Sequence, residues 1–244
     1  MSKAQHNYFE ETAVSYSTLF SGKKTGAAVS FETRVEIAKE FAKGRTGRLL
    51  DCAVGSGEVT EAVIRAGSFS SALLNDFSPS MLELSKQRLG KLGMSDIQWS
   101  EGDCFEFLRS VEPARCDLVM CLGLIAHTGR LDELLSLLRC SVSAKGAVLF
   151  QSTLAEHLGV RFHRMMTAQN YARRHGYEIS YQTSGQVREA ACKAGFDVAE
   201  FRKYCLFLPG LDKVAPSLSH WVERVSRGPA RLLGSEGLFL LLPR

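Results

Sequence analysis

Apolar positions along the 244-residue chain follow a repeating order of short apolar run, turn and helical spacing. Phe9, Ala13, Tyr16 and Phe20 recur at helical intervals over 7–20 and predict a first helix with an aromatic face. Residues 21–30 read as a loop by their Gly and Ser content. A second helix is expected over 31–43, with Phe31, Val35, Ala38 and Phe41 as its buried stripe and Gly44 to Gly47 as its end. Leu49 and Leu50 then run into Asp51. A tight turn of small residues follows (Ala53, Gly55, Ser56, Gly57), and Val59, Ala62 and Val63 lay out one face of the next helix.

The pattern repeats downstream. Ala72 to Leu74 is an apolar run closed by Asn75 and Asp76. Ser78 as N-cap and Pro79 at the first helical position then open a helix carrying Met81, Leu82, Leu84 and Leu89. Ile97 to Trp99 reads as a third strand. Asp117 to Leu122 is a fourth, continuously apolar as in a parallel sheet covered on both faces. Gly123 to Gly129 is its loop, Leu131 to Cys140 a helix, and Gly146 to Gln151 a fifth strand. Five such alternations predict an α/β, doubly wound parallel sheet. A helix over 184–195 with Gly195 as its stop, a long strand from Phe196 to Leu208, and a last strand from Gly237 to Leu242 follow. The excursion Pro209 to Gly234 carries a helix with Leu218, Trp221, Val222 and Val225.

Composition narrows the class. Apolar content of 45% and charged content of 23% are ordinary for a soluble globular protein, and the length suits one α/β domain. A net charge of +4 is too mild to argue for nucleic acid by itself. Met1 to Glu10 is polar and reads as no secretory signal, and no run of 18 apolar residues predicts a membrane span. The seven cysteines are scattered, odd in number and without a Cys-x-x-Cys pair, so neither a metal site nor a disulfide framework is expected. Reduced thiols in a cytoplasmic enzyme are the favoured reading.

The turn after Asp51 is the first candidate site. Gly55 and Gly57 can take positive φ and let a ligand approach the backbone, beside unpaired N–H groups of the following helix. A dinucleotide fingerprint needs glycine at position 60, which is Thr60; a phosphate loop needs a Gly-Lys pair, and no lysine is there. Asp51 disfavours a pyrophosphate and suits a ligand with a positive group. A structural turn without ligand is the other reading of these residues alone. Asp76, 19 residues after Gly57, ends the second strand and can accept from both hydroxyls of a ribose; a solvated loop acid is its plainer alternative. At the third strand tip, Asp103 can accept from the exocyclic amine of adenine, with Cys104 or Phe105 offering a face to the ring.

Two outer segments carry further candidates. The first helix either packs its aromatic face on the domain or forms a lid, with Tyr8 or Tyr16 meeting ligand. From His157 to Tyr177 there are four arginines (161, 164, 173, 174), three histidines and no acid. This is either a solvated helix face or a basic lid for an acidic acceptor. In the lid reading Phe162, Met165, Met166, Tyr171 and Tyr177 add an adaptable apolar wall.

Four motifs stand in order at strand-plus-helix spacings: Asp51…Gly55-x-Gly57, Asp76-Phe77-Ser78-Pro79-x-Met81-Leu82, Gly102-Asp103, and Asp117-Leu118-Val119…Leu122-Gly123-Leu124-x-x-His127. Together they resemble the small-molecule class I S-adenosylmethionine (SAM)-dependent methyltransferases over roughly residues 45–155, and more loosely to the end. Two positions depart from that pattern: Ala53 stands at the first motif glycine, and Ala126 where Glu is usual. The resemblance implies a doubly wound, mostly parallel seven-stranded sheet with an antiparallel last strand, and helical lid elements at the N-terminus and after strand 5. It divides the single domain into a lid (1–44), a SAM-binding core (45–153), an acceptor lid (154–183) and a C-terminal part (184–244).

The resemblance also implies roles. Asp51, Ala53, Gly55, Ser56 and Gly57 would lie against the methionine part of SAM, Asp76 would hold the ribose and Asp103 the adenine amine. Phe77, Met81 and Cys104 would line the adenine slot, with Phe105, Leu122 and Tyr16 as further cofactor contacts. His127 would be the base for a hydroxyl acceptor, or else a structural histidine, with His157 and His163 in reserve. Tyr8, His157, Arg161, His163, Arg164 and Tyr171 would meet the acceptor. The expected activity is methyl transfer from SAM, leaving S-adenosylhomocysteine, to a small acidic or phenolic metabolite. O-methylation is favoured over N-methylation, with no metal, by a monomer or homodimer. A non-catalytic SAM-binding partner or sensor, and an RNA ribose methyltransferase, are the alternatives. Cys121-Leu122-Gly123-Leu124 stands where a nucleobase amino-methyltransferase has Asp/Asn/Ser-Pro-Pro-aromatic, which argues against base amines as acceptors.

Overall fold

The computed structural model describes residues 8–11, 13, 24–225 and 227–244, with the side chains of 169, 174, 175 and 229 outside that description. Seven strands form one sheet in the order β3-β2-β1-β4-β5-β7-β6. They are β1 (Thr46–Asp51), β2 (Ser68–Asp76), β3 (Ile97–Glu101), β4 (Cys116–Cys121), β5 (Val142–Thr153), β6 (Phe196–Tyr204) and β7 (Glu236–Pro243). β1 to β5 pair in parallel, and β7 is antiparallel to both β5 and β6. The winding direction reverses between β1 and β4, so a ligand crevice opens beyond their carboxyl ends.

Alternation along the strands divides the core into two layers. Leu50, Val119, Cys121, Val148 and Phe150 face one side, where they meet α6 (Leu131–Ser141) and α8 (Ser184–Lys193). Leu49, Leu118, Met120 and Leu149 face the other, against α1 (Gly26–Ala42), α2 (Glu58–Ala66) and α3 (Pro79–Leu89). Leu118 to Cys121 are wholly buried, which is why that stretch reads as an unbroken apolar run. The remaining helices are α4 (Cys104–Ser110), α5 (Ile125–Thr128), α7 (Leu158–His175), α9 (Leu211–Val214) and α10 (Pro216–Val225).

Local signals hold at α3, where Ser78 accepts from the Met81 amide at 3.1 Å and Pro79 occupies the first turn. Elsewhere tertiary contacts move the boundaries. α1 begins at Gly26, inside the stretch read as loop. Thr25 caps it, and Asp212 accepts from the Gly26 and Ala27 amides at 2.8 and 3.1 Å. An acid 186 residues away supplies that helix start, which no local pattern shows. β6 stops at Tyr204, short of Leu208, because Cys205 and Phe207 take positive φ. The stretch 123–129 contains a helical turn, α5, closed by Gly129 at φ 66°. Tyr16 and Phe20 lie outside the described residues. Among the described residues no helix is long and apolar enough to cross a membrane.

Candidate active site

The glycine turn is set by Asp51. Its buried carboxylate accepts from the Thr60 hydroxyl at 2.6 Å and from the Ala53 amide at 3.2 Å. Burial pushes its pKa up to about 6, against the pull of those two bonds. Thr60, the residue that breaks the dinucleotide fingerprint, is thus the partner that fixes Asp51. Thr60→Val is expected to cost about 2 kcal/mol by leaving one carboxylate oxygen unpartnered. Thermal unfolding would then move down by about 4–8 °C, with the Asp51 pKa moving further up.

The turn itself bends through Gly55 at φ 54° and Gly57 at φ 82°. A Cβ at Gly57 would sit 3.3 Å from the Ser85 Cα, so position 57 needs glycine for space as well as for φ. Ala53 is not among the positive-φ residues, so a Cβ is tolerated there. Arg88 clamps the turn from α3, donating to the Ser56 carbonyl at 2.9 Å and pairing with Glu58 at 2.7 Å. Ser56 is buried and donates to Glu58.

Beyond the turn lies a cavity of about 170 Å³. Ala53, Gly55, Asp76, Phe77, Met81, Cys104, Leu122, Tyr8 and His127 all line it, together with Asn75 and Arg34. Asp76 accepts from the Gly55 amide at 2.7 Å and the Ser78 amide at 3.0 Å, which ties the glycine turn to the tip of β2. Burial raises the Asp76 pKa; these backbone bonds oppose the shift and nearby Glu10 adds to it. Glu10 reaches from the N-terminal helical segment to accept from the Ser78 and Ser80 hydroxyls, bringing Tyr8 and Phe9 over the cavity. Asn75 is 1% exposed and donates to the Cys52 and Gly102 carbonyls, which leaves its Oδ1 without a partner. A buried orphan acceptor on a residue of the cavity lining suits a ligand that brings a donor.

Other expected cofactor residues sit elsewhere. Asp51, Ser56 and Gly57 lie behind the cavity wall as supports. Phe105 is buried in the core with the Arg130 guanidinium 3.9 Å from its ring centroid, so it presents no face to the cavity. Asp103 caps α4, accepting from the Phe105 amide at 2.8 Å, beside Gly102 and Cys104 of the lining.

A second cavity of about 320 Å³ adjoins the first, and Arg34, Gly123 and His127 line both. His127 Nδ1 lies 3.2 Å from the Tyr177 hydroxyl, which lies 2.9 Å from that of Tyr171. Phe9 meets the imidazole edge-on at a centroid distance of 5.0 Å. Burial pushes the His127 pKa down to about 4 and raises both tyrosines, so all three groups are neutral near pH 7. The far wall holds Gln151, Thr153 and Glu236. Glu236 accepts from the Gln151 amide and from Thr153 at 3.0 Å, and burial raises its pKa. Gln151 is 3% exposed and its Oε1 has no partner. Arg34 donates to the Tyr204 hydroxyl at 2.9 Å.

The expected acceptor residues divide. His163 lines the second cavity and packs on Phe207 at 5.5 Å. Tyr171 joins through Tyr177. His157 caps α7, accepting from the Val160 amide at 3.3 Å. Arg161 and Arg164 stand on an exposed groove with Met165 and Met166 and do not line the second cavity, although the Arg164 guanidinium lies 5.8 Å from the ring centroid of Tyr181, which does. Phe162, Met165 and Met166 are exposed and form no wall for it. Arg34, Gln151 and Glu236 carry no local motif and come together around the second cavity only in the fold. Among the described residues no group of three or more His, Cys, Asp or Glu could hold a metal ion.

Comparison with known proteins bears on this arrangement. Residues 49–146 match the methyltransferase domain family. No curated protein sequence matches the chain. Among solved structures, the magnesium protoporphyrin IX methyltransferase of Synechocystis PCC 6803, with S-adenosylhomocysteine bound, superposes with a TM-score of 0.66 at 13% identity, covering 98% of both chains. A chain of the Haloferax volcanii complex between the Trm112 methyltransferase activator and a methyltransferase gives 0.64 at 16%, covering 96% of this chain and 97% of that one. Haemonchus contortus phosphoethanolamine N-methyltransferase 2, solved with phosphomonomethylethanolamine and S-adenosylhomocysteine, gives 0.59 at 19%, covering 87% of this chain and 53% of that one. The chain thus has the fold of the class I SAM-dependent methyltransferases, and its residues 49–146 are similar to a methyltransferase domain.

Proposed function

We propose that the chain binds SAM in the smaller cavity and moves its methyl group to a hydroxyl of a small molecule held in the larger one. The observation that carries this reading is the shared wall: Gly123 and His127 border both cavities, so two ligands would meet there. Asp76 suits the ribose hydroxyls, and the orphan Asn75 Oδ1 suits a donor of the same ligand. Phe77, Met81, Cys104 and Leu122 offer the apolar slot that an adenine ring fills. When bound, SAM supplies a methyl group on a positively charged sulfur, open to in-line displacement.

The residues then have to orient the acceptor and take its proton. His127 suits the second task in one tautomer. In the tautomer whose Nδ1–H donates to Tyr177, Nε2 is the nitrogen that accepts the hydroxyl proton as the oxygen attacks. The proton then rests on the imidazole, whose Nδ1–H keeps its bond to Tyr177, until the product leaves and solvent takes it. Gln151 Oε1 would accept from another donor on the acceptor, which favours an alcohol or phenol. A carboxylate or phosphate on the same molecule would meet Arg34 rather than Arg161 or Arg164.

Incubating the protein with methyl-labelled SAM and a panel of phenols, hydroxycarboxylates and phosphorylated hydroxy compounds tests this reading. Label is expected on a hydroxyl oxygen of at least one compound. Saturable SAM binding with no transfer across the panel would overturn it in favour of a SAM-binding partner or sensor.

A further inference from the structure

Every large apolar side chain that the described residues leave exposed lies in two stretches, 158–166 and 208–233. The first belongs to α7. Its inner side turns Val160 and His163 toward the larger cavity. Its outer side carries Leu158, Phe162, Met165 and Met166, which are 77%, 55%, 74% and 61% exposed. The spacing i, i+4, i+7, i+8 makes these one stripe along the helix. A globular helix ordinarily turns such a stripe inward; here it faces out.

The charge on this helix has one sign. Arg161, Arg164 and Arg173 are exposed, and no Asp or Glu stands between Glu156 and Glu178. The second stretch adjoins α7 through the His163–Phe207 contact. It adds exposed Leu218, Trp221, Leu232 and Leu233 beside exposed Lys213, Arg224 and Arg231. Its two acids are turned to internal work: Asp212 on the α1 amides and buried Glu223 on the Phe207 amide.

We propose that α7 docks this protein on an anionic lipid surface, with its apolar stripe at the acyl boundary and its arginines among the phosphates. A helix with an apolar face and basic flanks binds such an interface through buried area and charge together. A second copy of the chain fits less well, because α7 against α7 sets arginine against arginine with no acid on the helix to pair them. A folded partner would need a groove both apolar and acidic. A bilayer supplies both properties without matching shape, and it suits long, adaptable Met side chains.

The test is co-sedimentation of the full chain with phosphatidylcholine vesicles, with and without phosphatidylglycerol, at low and high salt. Binding is expected only where phosphatidylglycerol is present, and is expected to weaken at high salt. The double variant Phe162→Glu, Met165→Glu replaces exposed side chains, so its melting temperature should match the parent. Its vesicle affinity should fall roughly tenfold or more, since two apolar side chains that would be buried at the acyl boundary are replaced by carboxylates. No sedimentation with anionic vesicles, equal binding by parent and variant, or concentration-dependent self-association abolished by the variant without vesicle binding would each overturn the proposal. Because the readout is lipid binding, it is independent of SAM binding and methyl transfer.

Discussion

Asp76→Ala is expected to weaken SAM binding by roughly 100-fold or more in calorimetry. The carboxylate stands at the tip of β2, lines the smaller cavity and already holds the Gly55 amide at 2.7 Å and the Ser78 amide at 3.0 Å. Two ribose hydroxyls donating to a charged acceptor contribute about 1.5 kcal/mol or more each, which converts to about 100-fold in affinity. The substitution also frees the glycine turn from β2, so a loss of thermal stability should accompany it. Asp76→Asn separates the two effects. It keeps an oxygen for the Gly55 amide, sets its NH2 against the Ser78 amide and removes the charge, so stability should return only in part while affinity stays reduced. The pH dependence follows from the raised pKa. The ionised form is the better acceptor, so affinity should fall as pH drops through a point above the ordinary carboxylate range. Unchanged affinity in Asp76→Ala would remove this residue from the site.

What the chain's pattern reveals and what it hides have a common physical basis. Strands buried on both faces must be apolar throughout, so 118–121 is visible at once. Ligands sit beyond the carboxyl ends of such strands, so Asp76 and the glycine turn could be singled out without coordinates. Thr60 was visible only as a broken motif; its bond to Asp51 requires the turn to close first. Arg34, Gln151 and Glu236 belong to α1, β5 and β7, and meet because the sheet sets Thr153 opposite Glu236. No spacing records that meeting. α7 shows a different limit. Periodicity fixes which side chains share a face, and says nothing of which way the face turns, so Phe162, Met165 and Met166 read equally as a pocket wall or an outer stripe.

His127→Ala is expected to lower methyl transfer by roughly 10²–10⁴-fold, the usual contribution of a positioned base, with SAM affinity changed only a few-fold. The sign of the pH effect is fixed by its environment. Burial holds the imidazole pKa at about 4, so the neutral form persists well below the pH at which an exposed histidine charges. Protonation of His127 should therefore contribute no loss of activity between neutral pH and about pH 5; its limb lies at about pH 4, and His127→Ala should lose that limb along with the rate. The price of such burial is a weak base, which the geometry has to offset by position and by the Tyr177 bond. Tyr177→Phe keeps the ring that packs near Tyr8 and His127 but removes the hydroxyl. Losing one hydrogen bond of about 1–1.5 kcal/mol should slow transfer about tenfold. If His127→Ala instead retains near-normal rate and an unshifted profile, the histidine is structural, and Glu236 becomes the group to test. Its buried carboxylate, with a raised pKa, stands across the same cavity. In that case Glu236→Gln, and not His127→Ala, would abolish transfer while leaving the Gln151 and Thr153 contacts room to re-form.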